Sequence, residues 1–200
     1  MFCDASLLAL DKPAGTLAVP GRGAHKQDCL ATQAQAVFAD ALVVHRLDMA
    51  TSGLMLMARG LDTQRRLSRA FARREVRKRY VAVVSGRVPM SSGAIELPLA
   101  ADWPNRPMQK VDAEHGKPSL THYRVLAYDA LTDTTRLALE PVTGRSHQLR
   151  VHLLALGHPI VGDGLYAPGA SGRLMLHASE LNLAHPATGE ALHLTSEPPF

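Results

Sequence analysis

In HRLDMATSG, residues 45–53, an aspartate follows a histidine and an arginine, between the apolar runs ALVV (41–44) and LMLMA (54–58). A carboxylate placed just after a strand, in a polar loop with Thr51 and Ser52 that Gly53 closes, is positioned to act as a nucleophile or a base. The same aspartate could equally serve as a turn residue that accepts backbone N–H groups. Asp48 is therefore a candidate whose role depends on what else the chain brings to it.

Two further groups have the right chemistry. In TGRSHQLRVH (143–152) a helix starting near Ser146 would carry Arg150 one turn inside it, with Gly144 and Arg145 just before it. Such a helix start suits an anion, either phosphate or carboxylate. An arginine held against a buried aspartate would also keep that carboxylate ionised. Tyr80 ends the run RRLSRAFARREVRKRY, whose residues 65–79 hold eight of the 22 Lys and Arg against one acid, Glu75. A basic stripe of this density suits a phosphate backbone, although it also describes a solvated helix face. With only four Tyr, four Phe and one Trp in the chain, Tyr80 fits the holding of one base better than a run of stacked bases.

Other chemistries lack their residues. The ten histidines form no HExxH or Cys/His cluster, which argues against a zinc site. GRGAHK and TGRS do not match a phosphate loop, and no GxGxxG fingerprint is present. No metal and no cofactor are expected. Two cysteines, Cys3 and Cys29, suggest no disulfide framework, and the N-terminus has no secretory pattern, so a reducing cytoplasm is the expectation. The longest apolar runs are far short of a bilayer span. With 46% apolar and 20% charged residues, the 200-residue chain is composed like a soluble globular protein.

The elements that must position these groups read as follows. SLLAL (6–10), ALVVH, GLMLMAR and RYVAVVSGRV are strands, and KPAGTLAVPGRG is turn-rich. Asp28 could cap a helix running through Ala41, with Leu30, Ala34, Val37, Phe38 and Ala41 on one face. A second helix starts near Asp62, buries Leu67, Ala70 and Phe71, and turns its arginines outward. AIELPLA, THYRVLAY and TRLALEPV are strands, HQLRVHLLALG is a helix stopping at Gly157, and LMLHASELNLA with EALHLT forms a hairpin through HPATG. The absence of repeats and linkers favours a single domain. Many strands with two or three helices predict an α+β fold with a mixed, largely antiparallel sheet.

HRLDMATSGLMLMAR resembles the catalytic motif of the RluA family of pseudouridine synthases, HRLDxxTSG followed by an apolar strand. KPAG with Pro20, RKRYVAVVSG, GKPSLTHYRVL, TGRSHQLRVHLLALGHPIVGDGLY and RLMLHA resemble further segments of that family, in the family's order. DWPNRPMQK (102–110) is similar to compact members acting on large-subunit ribosomal RNA and tRNA anticodon loops. The residues before Asp48 are taken up by the catalytic fold, so no N-terminal S4-like domain is expected.

The resemblance implies the pseudouridine synthase catalytic fold with a central RNA-binding cleft. It gives Asp48 as the catalytic aspartate, Tyr80 as the active-site tyrosine, Arg150 as the arginine paired with that aspartate, and Leu176 as an apolar residue packing the site. The implied reaction breaks the C1′–N1 bond of uridine and rejoins uracil through C5. As an isomerisation it requires no redox cofactor or nucleotide. The carboxylate could attack the anomeric carbon or remove a ribose proton, and the sequence does not choose between these routes. The uridine must leave its stack. Tyr80 would then stack on it, and Arg46 could fill the space left behind. His45 is expected to be structural. Arg77, Arg79 and Arg145 are candidate phosphate contacts, while Asn105, Arg106 and Trp103 are candidate contacts to the RNA loop. RNA is thus the expected partner, ribosomal or transfer, bound by a monomer without membrane attachment. Two rivals are a non-catalytic RNA-binding protein on the same fold and a nucleosidase releasing free uracil.

Overall fold

Alternation of side chains along LLALDK and SGLMLMAR organises the first part of the fold. The two segments form strands β2 (Leu7–Lys12) and β4 (Ser52–Arg59), paired antiparallel from Leu7 opposite Ala58 to Lys12 opposite Gly53. Leu7, Ala9, Leu54, Leu56 and Ala58 point to one face and pack with Leu67, Val76, Leu181, Leu183 and Leu194. Leu8, Met55 and Met57 point to the other and pack with Ala18, Cys29, Ala31 and Ala41. A strand buried on both faces needs cover on both. Helix α2 (Leu61–Ala72) supplies Leu67 to the first face, and helix α1 (Leu30–Val37) supplies Ala31 to the second.

The computed structural model describes residues 2–23, 26–167, 169 and 171–200. The chain divides into two compact units, residues 1–78 with 177–199 and residues 79–176 with 200. In the first unit, β1 (Phe2–Cys3) covers the edge of β2, and β3 (Ala41–Val43) pairs with β4. Strand β11 (Leu176–Ala184) runs parallel to β4, with His177 opposite Ser52, and forms the expected hairpin with β12 (Ala191–Thr195). In the second unit β5 (Arg77–Ser85), β10 (Thr134–Pro141), β9 (Leu120–Asp129) and β6 (Ser92–Glu96) lie side by side in that order, all antiparallel. A small hairpin of β7 (Leu99–Ala101) and β8 (Gln109–Val111), with helix α3 (Gln148–Ala155), completes it. The architecture is the expected α+β fold with a mixed, largely antiparallel sheet. No helix among the described residues is long and apolar enough to cross a membrane.

Several local expectations are corrected. Cys29, not Asp28, caps α1. Its thiol accepts from the backbone N–H of Thr32, and the Thr32 hydroxyl accepts from the N–H of Cys29, a reciprocal cap. The helix ends at Val37, which is exposed, and Ala41 lies on β3, fully buried. The helical spacing of Val37 and Ala41 was therefore coincidental, because the turn at 38–41 had already ended the helix. AIELPLA divides into β6 and β7 around Leu97 and Pro98, since proline cannot donate to a continuing ladder. Helix α2 leaves Arg65, Arg66 and Arg69 outward, as expected. The basic stripe is not one surface element. It crosses a turn after Ala72, where Arg74 adopts a left-handed conformation, and enters β5 at Arg77.

Candidate active site

The loop 44–51 joins β3 to β4 and carries Arg46, exposed, and Asp48, half-buried, on either side of the buried Leu47. It is held from three directions within its own unit. His45 accepts the N–H of Leu56 at its Nε2, 2.8 Å away, and stacks on Phe71 with ring centroids 4.5 Å apart. Burial, reinforced by the nearby Lys78 charge, pushes the His45 pKa down to about 3. The ring stays neutral and can accept, which fits a structural histidine.

Lys12, at the end of β2, is fully buried and donates from its Nζ to three carbonyls: Pro13 at 2.9 Å, Thr16 at 2.8 Å and Met49 at 3.0 Å. Three acceptors use the three donors of an ammonium. Burial lowers its pKa to about 8, and the negative charge of Asp48 opposes the fall. The Met49 carbonyl also accepts the N–H of Gly15, 2.9 Å away, so the residue after Asp48 is tied twice to the KPAG turn.

Behind the loop, a relay runs from Ser52 to the C-terminal hairpin. The Ser52 hydroxyl lies 2.9 Å from Nδ1 of His177, whose Nε2 lies 3.0 Å from the Ser196 hydroxyl. Ser196 in turn donates to Asp11 at 2.8 Å. With that proton committed, Ser196 accepts from the Nε2–H of His177. Gly53, the next residue, has φ +108°, and a Cβ there would stand 2.4 Å from the Ala178 carbonyl oxygen. The T-S-G spelling thus records a hydroxyl for the relay and a backbone approach that no side chain permits.

The second unit positions the other candidates. Tyr80 lies on β5 opposite Leu139 of β10. Leu176 is buried, and its neighbour Met175 accepts the N–H of Val83, so Leu176 runs alongside the strand that carries Tyr80. Arg150 on α3 is almost fully buried. Its Nε and Nη2 donate to Asp163 at 2.8 and 2.6 Å, a two-point ion pair. Asp163 also accepts the N–H groups of Leu165 and Tyr166. The Arg150 guanidinium lies 5.0 Å from the Tyr166 ring centroid. Gly162, with φ +76°, lets the chain pass the Arg173 carbonyl just before Asp163.

The start of α3 differs from its expected form. The helix begins at Gln148, with His147 before it in a left-handed conformation, rather than near Ser146. Gln148 is buried and uses both ends of its amide. Its oxygen accepts from the Thr143 hydroxyl and the Arg145 N–H, and its nitrogen donates to the Leu120 carbonyl and the Thr121 hydroxyl. The Arg145 guanidinium reaches the Pro118 carbonyl at 3.4 Å. Arg79 is paired with Glu140 at 2.9 Å on the surface, an exposed pair of the kind worth little. Arg77 is exposed at the start of β5. Asn105 and Arg106 share the exposed turn between β7 and β8.

Arg46 and Asp48 are thus brought together on one loop. Tyr80 and Leu176 run along neighbouring segments, and Asn105 and Arg106 share one hairpin. Lys12, Asp163 and His177 were not recognised from the sequence as site-supporting residues. All three lie inside stretches already noted, KPAG, GHPIVGDGLY and RLMLHA, but the partners that give them their roles were not legible there. Among the described residues, no group of three or more His, Cys, Asp and Glu side chains could hold a metal ion.

Comparison with known proteins gives the family. Residues 6–155 match the RNA pseudouridylate synthase family. The whole chain is 47% identical to the dual-specificity RNA pseudouridine synthase RluA of Yersinia pestis, covering 98% of that protein. It is 48% identical to the protein of the same name from Escherichia coli strain K12, over 96% of this chain and 89% of the relative. Human RNA pseudouridylate synthase domain containing 1 superposes with a TM-score of 0.82 at 29% identity, covering all of this chain and 82% of that one. Its counterpart, domain containing 4, gives 0.79 at 26% identity, covering 99% and 87%. In sequence and in fold, the chain belongs to the RNA pseudouridylate synthase family, a family of isomerases.

Proposed function

We propose that this protein isomerises uridine to pseudouridine in structured RNA loops, in large-subunit ribosomal RNA, in the tRNA anticodon stem-loop, or in both. Asp48 is the carboxylate that acts on the sugar of a flipped-out uridine. The observation that carries the reading is the loop 44–51 itself. It presents Asp48 on a backbone tied down by a buried ammonium and a neutral histidine, as a reacting group requires. The dual-specificity name shared by the bacterial relatives supports more than one class of RNA substrate.

In the reaction, the C1′–N1 bond breaks, the uracil turns, a C5–C1′ bond forms, and the C5 proton leaves as N1 gains one. Asp48 either attacks C1′ as N1 departs and is itself displaced when C5 bonds to C1′, or removes a ribose proton at the start and returns it once the C5–C1′ bond has formed. Tyr80 stacks on the uracil, Leu176 packs the base, and Arg46 occupies the space the nucleotide vacates. Arg150 serves the Asp48 carboxylate as its cationic partner. Arg77, Arg79 and Arg145 bind phosphates, and Asn105 and Arg106 touch the RNA loop. The 200 residues act as one catalytic domain, a cytoplasmic monomer that uses no nucleotide cofactor.

The test uses RNA from cells lacking this gene. The RNA is incubated with purified protein, digested to nucleosides and chromatographed. Wild type forms pseudouridine, which matches uridine in mass. Asp48→Asn forms none and keeps most of its RNA affinity. Release of free uracil, or full turnover by Asp48→Asn, would refute the assignment.

A further inference from the structure

We infer that the turn between β7 and β8 is a preformed platform on which an unpaired RNA base stacks against Trp103. This deepens the proposed function and rests on RNA being the substrate. Trp103 is 68% exposed, although it is the largest apolar side chain in the protein. One face of its ring is taken by Arg106, whose guanidinium carbon lies 4.3 Å from the ring centroid. An indole backed by a guanidinium and open to solvent offers a π surface and a positive charge together. Those are the two things that a base and its phosphate recognise.

The turn is ordered before any ligand arrives. Asn105 donates from its side chain to the Asp102 carboxylate at 2.9 Å and from its backbone to the Asp102 carbonyl at 3.1 Å. Asp102 and Met108 close the loop through a 3.0 Å bond, and Met108 donates to Asn105 at 3.0 Å. The hairpin is also attached to the framework of Arg150. The N–H of Gln109, at the start of β8, donates to the Tyr166 hydroxyl at 2.8 Å. That hydroxyl lies 2.7 Å from Nδ1 of His147, and the Tyr166 ring lies under Arg150. Met108 packs against Leu99, Val151 and Tyr166. A base held at Trp103 is therefore registered against the helix that carries Arg150, and a fixed loop loses little freedom on binding.

Trp103 is the single tryptophan of the chain, so its emission reports this site alone. The probe is a synthetic RNA stem-loop with uridines in its loop, compared with the same strand annealed to its full complement. The stem-loop quenches the emission along the same isotherm that filter binding gives, whereas the complement-paired strand does not. Trp103→Ala weakens stem-loop binding roughly tenfold, and Trp103→Phe stays close to wild type. A stem-loop retained on the filter with unchanged emission would overturn the platform, as would Trp103→Ala with wild-type affinity. Equal quenching by the paired strand would also overturn it, pointing to phosphate proximity instead of stacking. Pseudouridine in the digest is scored separately. Product without quenching refutes the platform and leaves the enzyme, and quenching without product does the reverse.

Discussion

Replacing Lys12 with methionine tests how the Asp48 loop is held. Methionine fills a similar volume and removes only the ammonium. Three hydrogen bonds from a charged donor contribute about 2 kcal/mol each. Holding that charge in a dry site costs about 3 kcal/mol, from the fall of its pKa from 10.5 to about 8. The difference predicts that Lys12→Met unfolds in urea with a loss of about 2–3 kcal/mol at pH 7. Releasing the Met49 carbonyl should also let Asp48 drift, lowering turnover on the order of a hundredfold with RNA affinity largely kept. A purely packing role would not titrate, but the ammonium does. Between pH 8 and 10.5 the unfolded lysine binds a proton that the folded one has released. The wild type's stability should therefore rise relative to the variant by up to about 1.4 kcal/mol per pH unit. A variant as stable and active as wild type, with a stability difference flat across that window, would refute the reasoning.

Asp163→Asn removes the buried countercharge of Arg150 and should cost about 3 kcal/mol in urea unfolding. Turnover should fall more than RNA binding, and an unchanged midpoint would contradict the pairing. Gly53→Ala forces a Cβ against the Ala178 carbonyl at a positive φ and should cost about 3 kcal/mol or more by thermal or urea unfolding. The His45 pKa of about 3 lies below its unfolded value near 6.5, so the unfolded chain takes up the proton first. Stability should then fall as the pH drops from about 6.5 toward 3, by up to about 1.4 kcal/mol per unit. His45→Gln, which keeps an acceptor but cannot titrate there, should lack that component in urea midpoints measured across the range.

Local pattern carried much of the fold into view. Alternation in LLALDK and SGLMLMAR set which residues face which side, because a strand's side chains alternate by geometry alone. The C-terminal hairpin and the Gly157 helix stop were legible for the same reason, being decided within a few residues. Where a reading failed, the competing signal was also local but finer. The thiol of Cys29 and the hydroxyl of Thr32 out-competed Asp28 as the cap of α1, and the turn after Val37 ended a helix whose apolar spacing ran on.

The sequence by itself determined which elements form, how they alternate, and which motifs the chain shares with its family. Asp48, Tyr80 and Arg150 stood out there as a carboxylate just after a strand, an aromatic ending a basic stripe and an arginine near a helix start, and the family resemblance gave them their expected roles. Only the tertiary structure decided who holds them. Lys12 finds Met49 at 37 residues' distance, and Ser52 finds His177 at 125. Asp163 meets Arg150 from beyond the end of α3. Buried charges and polar groups must be matched one for one, and the partner that satisfies each is chosen by the folded chain's proximity in space, which no spacing along the sequence encodes.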